Sequence, residues 1–347
     1  MKKGYKTMKA FVTGATGFIG YHIARLLQTK GVEVRALVRE GSDASLLQEL
    51  DVEVLRGDLR DEESVSRAMK TCKHVYHVAA DYRLWVPDVK AMYDSNVQGT
   101  RNILQAAYEN SVEKVVYTST VGILTASRNG KISDETCLAS QHEMVGHYKK
   151  SKFLAEQEVY SFLNKGVPIV IVNPSTPIGT FDRKPTPTGN IIVDFINGKI
   201  PAYLDTGLNF VDVEDVAAGH LLAAERGSIG ERYILGNRNM SLKKFFELLA
   251  ILTNRKPPRI RFPYIPVLVA AYVDEAWAHW ATHKQPTIPL TGVKMAKKYM
   301  YFNSAKAVRE LGMPQTPVEY ALEKALYWFV ENGYVQETAS PSQKKIA

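Results

Sequence analysis

The stretch Thr13-Gly14-Ala15-Thr16-Gly17-Phe18-Ile19-Gly20 joins a strand-like run at residues 9–13 to an amphipathic run at residues 19–30. Its glycines follow the spacing G-x-x-G-x-x-G, a variant of the fingerprint of dinucleotide-binding turns. We expect Gly14 to permit the tight turn, Gly17 to let the backbone approach a pyrophosphate, and Gly20 to let helix and sheet pack closely. The N–H groups at the helix N-terminus would face the phosphates, with Thr16, Phe18 and Ile19 as further contacts.

Strand-like and helix-like runs alternate beyond this stretch. We predict strands at residues 32–38, 52–56, 74–79, 114–118 and 169–172, and helices at 61–70, 94–110 and 148–164. This alternation indicates right-handed βαβ units and therefore an α/β fold of Rossmann type, with a doubly wound parallel sheet. Later amphipathic helices at 241–253 and 317–332 predict a smaller C-terminal substrate-binding domain. The second of them opens with a capping box, Thr316-Pro317-Val318-Glu319.

A chain of 347 residues is longer than a usual single domain. The composition changes after the predicted strand at 169–172, where residues 180–187 form a proline- and threonine-rich loop. We therefore expect a discontinuous dinucleotide-binding Rossmann domain, a substrate-binding domain and flexible ends. Their predicted bounds are 8–178 with 208–237 for the first, 179–207 with 238–334 for the second, and 1–7 and 335–347 for the ends.

The formal net charge is +8, with a sequence pI near 9.2. Lysine and arginine are scattered without a dense basic tract, so we expect no nucleic-acid partner. The charge leaves open an attraction to an anionic cofactor, a phosphorylated small-molecule substrate or an acidic membrane surface. Cys72 and Cys137 have no paired spacing, which argues against a disulfide framework and a cysteine zinc site, and we expect no metal. These features favour a cytoplasmic protein.

We expect no signal peptide, and the apolar run at residues 265–273 is too short to span a bilayer. Apolar and aromatic residues nevertheless dominate residues 262–281. We expect this segment to be a helix packed in the substrate domain or at a dimer contact. Association with a membrane surface is the alternative. The side chains concerned are Phe262, Tyr264, Ile265, Val267, Leu268, Trp277 and Trp280.

Tyr148 and Lys152 are four residues apart and therefore share one face of a predicted helix. A free tyrosine has a pKa of about 10, too high for efficient acid–base catalysis at neutral pH. Because a neighbouring ammonium and an oxidised nicotinamide would both lower that pKa, we expect Tyr148 to be the acid/base and Lys152 to tune it. Thr120, or Ser119 beside it, follows a strand at the edge where such sheets bind ligands, and would hold the substrate oxygen.

The end of the second predicted strand, Val38-Arg39-Glu40, indicates which nicotinamide cofactor is used. An acidic residue there would bond the ribose 2′-hydroxyl, whereas an arginine suits a 2′-phosphate. Arg39 therefore favours NADP over NAD, and Glu40 leaves NAD as the alternative. Asp58 is either a contact of the adenine amino group or an aspartate that stabilises a turn or helix start.

Together these features resemble the extended short-chain dehydrogenase/reductase family, over residues 8–334. Within the family, Asp81-Tyr82-Arg83-Leu84-Trp85 and Lys184-Pro185-Thr186-Pro187-Thr188-Gly189 look like hopanoid-associated sugar epimerases, whose relatives include dihydroflavonol reductases. The resemblance also rests on the glycine stretch, Asp58, Val78-Ala79-Ala80, Asn96-Val97-Gln98-Gly99-Thr100, Thr120, Tyr148, Lys152, Asn173-Pro174-Ser175-Thr176-Pro177-Ile178-Gly179 and Phe210-Val211-Asp212-Val213-Glu214-Asp215-Val216-Ala217.

The resemblance implies roles for further residues. Thr120 stands for the family's catalytic Ser/Thr, Asn96 for a structural anchor, and Asp212 for a position where relatives commonly have histidine. The implied cofactor contacts include Leu59, Ala79, Ala80, Pro174, Ser175 and Thr176, the last three lining the nicotinamide. The implied substrate contacts are Tyr82, Arg83 and Trp85, an arginine for an anionic group and aromatics for a ring face.

The resulting hypothesis is an NAD(P)-dependent oxidoreductase that transfers hydride at a secondary alcohol or ketone. We expect it to be nucleotide-sugar epimerase-like. The alternatives are an NADPH-dependent, dihydroflavonol-reductase-like ketone reductase and a non-catalytic NADP-sensing protein. The same three catalytic groups serve epimerases and reductases, so the sequence leaves these two open. The family implies a homodimer through the helices predicted at 94–110 and 148–164.

Overall fold

The computed structural model describes residues 8–125, 132–282 and 284–335. The ends that we expect to be flexible, 1–7 and 335–347, therefore lie outside the described residues, apart from Val335. The strands are β1 (Lys9–Thr13), β2 (Glu33–Val38), β3 (Val52–Arg56), β4 (His74–His77), β5 (Lys114–Thr118), β6 (Ile169–Pro174), β7 (Thr176–Ile178), β8 (Ala202–Tyr203), β9 (Gly207–Asp212), β10 (Arg232–Leu235), β11 (Arg238–Ser241) and β12 (Ile260–Arg261).

The helices cover the two faces of the large sheet and build the second core. They are α1 (Phe18–Thr29), α2 (Ser45–Gln48), α3 (Glu62–Met69), α4 (Val89–Tyr93), α5 (Gly99–Glu109), α6 (Gly146–Asn164), α7 (Pro187–Ile196), α8 (Val213–Arg226), α9 (Leu242–Thr253), α10 (Tyr264–Trp277), α11 (Leu290–Met295) and α12 (Val318–Glu331). Short π-helical turns lie at Asp94–Gln98, Ala278–Thr282 and Ala307–Leu311.

Seven strands form one parallel sheet in the order β3-β2-β1-β4-β5-β6-β10. Side chains of β1 alternate between its faces, so that Ala10 and Val12 pack toward α1 and α8 whereas Phe11 packs toward α3, α5 and α6. The strand order reverses between β1 and β4, and ligands bind open α/β sheets at such a switch point, outside the carboxyl ends of the strands. The expected Rossmann fold is confirmed.

A smaller sheet contains β7, β9 and β11, with β9 parallel to β7 and antiparallel to β11. It packs with α7, α9 and α12 around a second core, in which the rings of Phe210 and Phe245 stack 4.3 Å apart. This core is built from residues that follow β6. The division of the chain into 8–178 with 208–237 and 179–207 with 238–334 stays a proposal.

Local patterns predict the strands at residues 9–13, 52–56 and 114–118 with the bounds that the structure has. The helix predicted at 94–110 is longer, because α4, a π-helical turn and α5 run on from residue 89 to 109. The predicted capping box before α12 is wrong. Thr316 instead donates its Oγ1 hydrogen and its backbone N–H to Asp215, at 2.8 and 2.6 Å, and Glu319 pairs with Arg238.

Candidate active site

The glycine stretch forms the turn between β1 and α1. Gly14 has φ +72°, a backbone conformation that residues with a side chain rarely adopt, and a Cβ there would lie 2.8 Å from the backbone of Ala79. A Cβ on Gly20 would lie 2.1 Å from the carbonyl oxygen of Gly14. Gly17 is exposed, and near its missing Cβ lies only the Gly14 oxygen, 3.2 Å away. The turn is therefore tightly packed at Gly14 and Gly20 and has an open backbone surface at Gly17.

The N-terminus of α1 fits a dinucleotide pyrophosphate. Gly17 is its N-cap, no side chain caps the helix, and the first turn holds no acidic residue. The first N–H groups of a helix have no intrahelical acceptor, and the helix dipole favours an anion at this end. Three residues next to this N-terminus are half-buried: Thr16 before the helix, and Phe18 and Ile19 at its start.

A buried polar chain fixes the end of β4 against this turn. Thr13 Oγ1 lies 2.8 Å from His77 Nδ1 and accepts the backbone N–H of Ala79 at 3.2 Å. His77 Nε2 lies 3.0 Å from Thr100 Oγ1. Burial lowers the pKa of His77 to about 3, so its imidazole is neutral at pH 7. Ala79, with Ala80 after it, is thereby held beside the glycine turn.

Arg39 lies exposed just after β2, at the carboxyl edge of the sheet. Asp58 lies after β3 at the same edge, where the side-chain hydrogen bonds of Arg60 lower its pKa and the charge of Arg39 adds to that effect. Arg60 donates to Asp58 Oδ1 from N and Nε, at 2.9 and 3.0 Å, and to Oδ2 from Nη2, at 2.7 Å. Asp58 thus stabilises its own turn, and Leu59 beside it is buried.

Thr120, Tyr148 and Lys152 come together at the carboxyl end of β5. Tyr148 and Lys152 lie one turn apart on α6, which Gly146 begins in a left-handed conformation, with φ +80°. The Thr120 hydroxyl accepts the N–H of Gly122 at 3.0 Å. It also lies close enough to the Tyr148 hydroxyl to lower the pKa of that phenol by hydrogen bonding.

Lys152 is 2% exposed. Its Nζ donates to the carbonyl oxygen of Thr118 at 2.7 Å and lies 4.4 Å from the centre of the Tyr117 ring. Burial lowers the pKa of Lys152 to about 7, against the opposing charge of Glu156. A lysine in this state exchanges its proton close to neutral pH.

The pKa of Tyr148 is raised in the cofactor-free protein, whereas our expectation concerns the site with an oxidised nicotinamide bound. Burial raises it, and the hydrogen bond with Thr120 offsets only part of the rise. The Lys152 ammonium donates to the carbonyl oxygen of Thr118. Tyr148 is therefore a protonated phenol at neutral pH in the cofactor-free protein.

Sequence patterns missed a buried network that fixes Thr120. Glu156 and Arg232 form an ion pair in which both side chains are almost fully buried. Glu156 also accepts the Ser119 hydroxyl at 2.6 Å, and Arg232 donates to Asn173 Oδ1 at 3.3 Å. Asn173 Nδ2 in turn donates to the carbonyl oxygen of Thr120 at 2.8 Å. Because the hydrogen of Ser119 points to Glu156, Thr120 provides the hydroxyl beside Tyr148.

Asn96 ties the loop after β4 to the helix that carries Tyr148. It lies in the π-helical turn Asp94–Gln98, where its Oδ1 accepts the N–H of Asp81 at 2.7 Å. Its Nδ2 donates to Asp81 O and to Ser151 Oγ, both at 2.9 Å. Ser151 Oγ donates to the carbonyl oxygen of Tyr148, at 2.9 Å. These bonds agree with the anchoring role that the family resemblance implies.

The three implied substrate residues have different surroundings. Tyr82 is 42% exposed. It lies near Tyr148, since a charge on Tyr82 would raise the pKa of Tyr148, although burial and the hydrogen bond with Thr120 have larger effects on that pKa. Arg83 donates to both oxygens of Asp81, at 2.9 and 2.5 Å, so its guanidinium is already paired. Trp85 is half-buried. Of the three, Tyr82 lies next to Tyr148.

Pro174, Ser175 and Thr176 continue the same carboxyl edge from the end of β6. Ser175 Oγ is buried, and within the described part of the chain it has no hydrogen-bond partner. A buried unpartnered hydroxyl is unusual in a folded protein, and a nicotinamide carboxamide would satisfy it. Asp212, by contrast, has structural partners: it caps α8 through the N–H of Glu214, at 2.8 Å, and pairs with Lys324, at 2.7 Å.

The model of the NAD dependent epimerase/dehydratase family matches residues 10–236, and the chain belongs to that family. The resemblance drawn from the motifs is therefore confirmed. The family binds NAD(P), and its members are NAD(P)-dependent reductases, epimerases and dehydratases. The chain is thus an NAD(P)-dependent enzyme, reductase-like or epimerase-like.

Individual relatives extend over nearly the whole chain. A Synechocystis sp. protein provisionally named dihydroflavonol 4-reductase is 45% identical over 330 residues, which are 94% of this chain and 96% of that protein. The crystal structure of gox2253 is 45% identical with a TM-score of 0.84, over 94% of this chain and 99% of that one. PA4631, a nucleoside-diphosphate-sugar epimerase from Pseudomonas aeruginosa, is 24% identical with a TM-score of 0.78, over 95% and 99%. This last likeness shows the fold alone.

Proposed function

We propose that the protein is an NADP-dependent reductase that interconverts a ketone and a secondary alcohol. The observation that carries the proposal is the convergence of Thr120, Tyr148 and Lys152 at the carboxyl end of β5, on the edge that also holds the glycine turn. The 45% identical relative named as a reductase supports this direction.

The side chains have separate tasks in this reaction. A bound nicotinamide supplies the hydride that reduction requires. Tyr148 donates its phenolic proton to the substrate oxygen, and the Thr120 hydroxyl hydrogen-bonds the same oxygen as negative charge develops on it. Lys152 would hold the nicotinamide ribose through the donors that its hydrogen bond to the carbonyl oxygen of Thr118 leaves over. Because a tyrosine is protonated at neutral pH and burial raises the pKa of Tyr148 further, the cofactor-free site is in the form that reduction needs.

The preference for NADP rests on Arg39, whose exposed guanidinium suits a 2′-phosphate at the end of β2. The other proposed contacts follow the carboxyl edge of the sheet. They are Gly14, Thr16, Gly17, Phe18, Ile19 and Gly20 for the pyrophosphate, Asp58 and Leu59 for the adenosine, and Ala79, Ala80, Tyr148, Lys152, Pro174, Ser175 and Thr176 toward the nicotinamide.

A nucleotide-sugar epimerase, our first expectation, is the second candidate. The same three side chains would serve it, and the named function of PA4631 is of this kind, although that neighbour supports the fold alone. In an epimerase the hydride returns to the opposite face of the same carbon, so no cofactor is consumed. A non-catalytic NADP-binding protein would need neither Tyr148 nor Thr120 in this arrangement.

One experiment separates the two candidates. The purified protein is incubated with NADPH and a panel of ketones, and with NAD(P) and nucleotide sugars, while nicotinamide absorbance and product stereochemistry are followed. We expect stoichiometric loss of NADPH with at least one ketone. Inversion of a sugar carbon without net loss of cofactor would replace the reductase proposal by the epimerase one.

A homodimer through α5 and α6 and a location in the cytoplasm stay predictions. The two helices pack against each other, and Arg101 on α5 pairs with Glu158 on α6 at 2.7 Å. Sedimentation equilibrium would test the dimer.

A further inference from the structure

The orientation of helix α10 is unusual for its composition, because its acidic residues face inward. Asp274 accepts the backbone N–H of Ile288 at 2.6 Å, and Glu275 accepts that of Leu290 at 3.1 Å. The same inner face buries Ala271 against α11. Helix α10 therefore packs against α11 with its inner face.

The outer side of α10 is apolar and exposed. Its large side chains recur every three or four residues, so they form one face of the helix. Together with Trp280 of the π-helical turn that follows α10, we call this set the α10 face: Ile265, Val269, Tyr272, Val273, Trp277 and Trp280, with exposures of 65, 57, 51, 66, 65 and 81%. Within the described part of the chain nothing covers it. Contiguous exposed apolar surface of this kind marks an interaction site.

The segment around this face is strongly basic. Residues 255–300 contain eight lysines and arginines against two acidic residues, a net charge of +6 out of the chain's +8. The two acidic residues are Asp274 and Glu275, which face inward. One cation lies directly at the face, since Lys294 Nζ is 4.9 Å from the centre of the Tyr272 ring. Lys256, Arg259 and Lys297 are exposed before and after the helix.

We propose that the α10 face docks on the surface of an anionic lipid bilayer. An amphipathic helix binds there by placing its apolar side chains at the boundary of headgroups and acyl chains, where tryptophan and tyrosine are favoured. Basic residues beside it gain from the negative surface potential of the bilayer. The helix lies along the surface, since no helix of the described residues is long and apolar enough to cross a membrane.

A second copy of the chain suits this face less well. A symmetric contact would bring two segments of net charge +6 together, and like charges across an interface oppose association. An anionic bilayer has the complementary charge.

The docked helix would lie one helix away from the catalytic tyrosine. α11 packs on α10, and Thr291 at its start lies against Gly146, where a Cβ would be 2.5 Å from Thr291 Cγ2. Leu84, beside the candidate substrate residues, lies against Gly292 of the same helix. Docking would therefore hold the start of α6 and the loop that carries Leu84 close to the lipid surface.

Flotation of the purified full-length protein with lipid vesicles tests the proposal. The vesicles contain phosphatidylcholine alone or with about a third phosphatidylglycerol. We expect binding to the anionic vesicles, weakened when salt is raised from about 0.1 to 0.5 M. The double variant Trp277→Ser/Trp280→Ser should bind at least about tenfold more weakly with an unchanged melting temperature, since both side chains are exposed. The control Ile251→Ser, at an equally exposed apolar residue of α9, should bind like wild type.

Three results would overturn the proposal. The first is no binding of wild type to either vesicle. The second is equal binding by the double variant and the control. The third is a dimer in light scattering that the double variant, but not Ile251→Ser, converts to a monomer, which would make a second copy the occupant of the face.

Discussion

Two glycines of the turn should have separable roles. At Gly20 an added Cβ would lie 2.1 Å from Gly14 O and 2.6 Å from Gly14 C. Non-bonded carbon contacts are favourable only from about 3.5 Å, so the methyl group would overlap a backbone that no rotamer change can move. Overpacking costs about 1–3 kcal/mol, and we expect Gly20→Ala to reach about 3. The melting temperature of this 347-residue chain should then fall by about 4 °C.

Gly17 should behave differently. Its φ is −92°, and only the Gly14 oxygen, at 3.2 Å, lies near the added Cβ. Gly17→Ala should change the free energy of unfolding by less than about 1 kcal/mol. The methyl group would stand where the pyrophosphate approaches, so the Kd for NADPH should rise at least about tenfold. Thermal melting and fluorescence titration with NADPH measure the two effects. If Gly17→Ala binds NADPH like wild type, the turn is not the pyrophosphate site.

Three further predictions concern charged side chains. Because burial lowers the pKa of Lys152 to about 7, the unfolded chain binds more protons than the folded one between that pH and the ordinary pKa of 10.5. The free energy of unfolding of the cofactor-free wild type should therefore rise with pH across this window, and Lys152→Met should lose that rise. Urea titrations at several pH values measure both. If the free energies of wild type and variant change with pH in parallel, the lowered pKa of Lys152 is refuted. Arg39→Ala should raise the Kd for NADPH about 10- to 100-fold with little change for NADH, and an equal loss for both cofactors would argue against a 2′-phosphate contact. Glu156→Gln leaves Arg232 buried without its partner charge and should destabilise the protein by about 3–5 kcal/mol, whereas Glu310→Gln, in an exposed pair, should change it by less than about 0.5 kcal/mol; equal melting temperatures of the two variants would contradict the proposed role of the network.

The sequence predicts the Rossmann sheet because βαβ units leave local signals. Strands appear as short apolar runs. The positive φ that the turn after β1 requires is available to glycine, so the sequence shows a glycine there, Gly14. The spacing of Tyr148 and Lys152 likewise identifies a shared helix face from neighbouring residues alone.

Features that depend on tertiary contacts were beyond such patterns. Glu156 and Arg232 are 76 residues apart, and nothing local indicates that they pair. In the cofactor-free protein the pKa of Tyr148 is raised, and burial, the largest cause, leaves no local signal in the sequence. The inward direction of Asp274 on α10 follows from the N–H of Ile288 that it binds.

The most direct test of the account is single-turnover oxidation of NADPH by Tyr148→Phe, with the ketone that wild type reduces fastest. The substitution removes only the phenolic hydroxyl. General acid catalysis contributes about 10²–10⁴-fold, so we expect the rate to fall by that factor while the Kd for NADPH stays within about twofold of wild type. A variant that oxidises NADPH at the wild-type rate would contradict the assignment of Tyr148 as the acid.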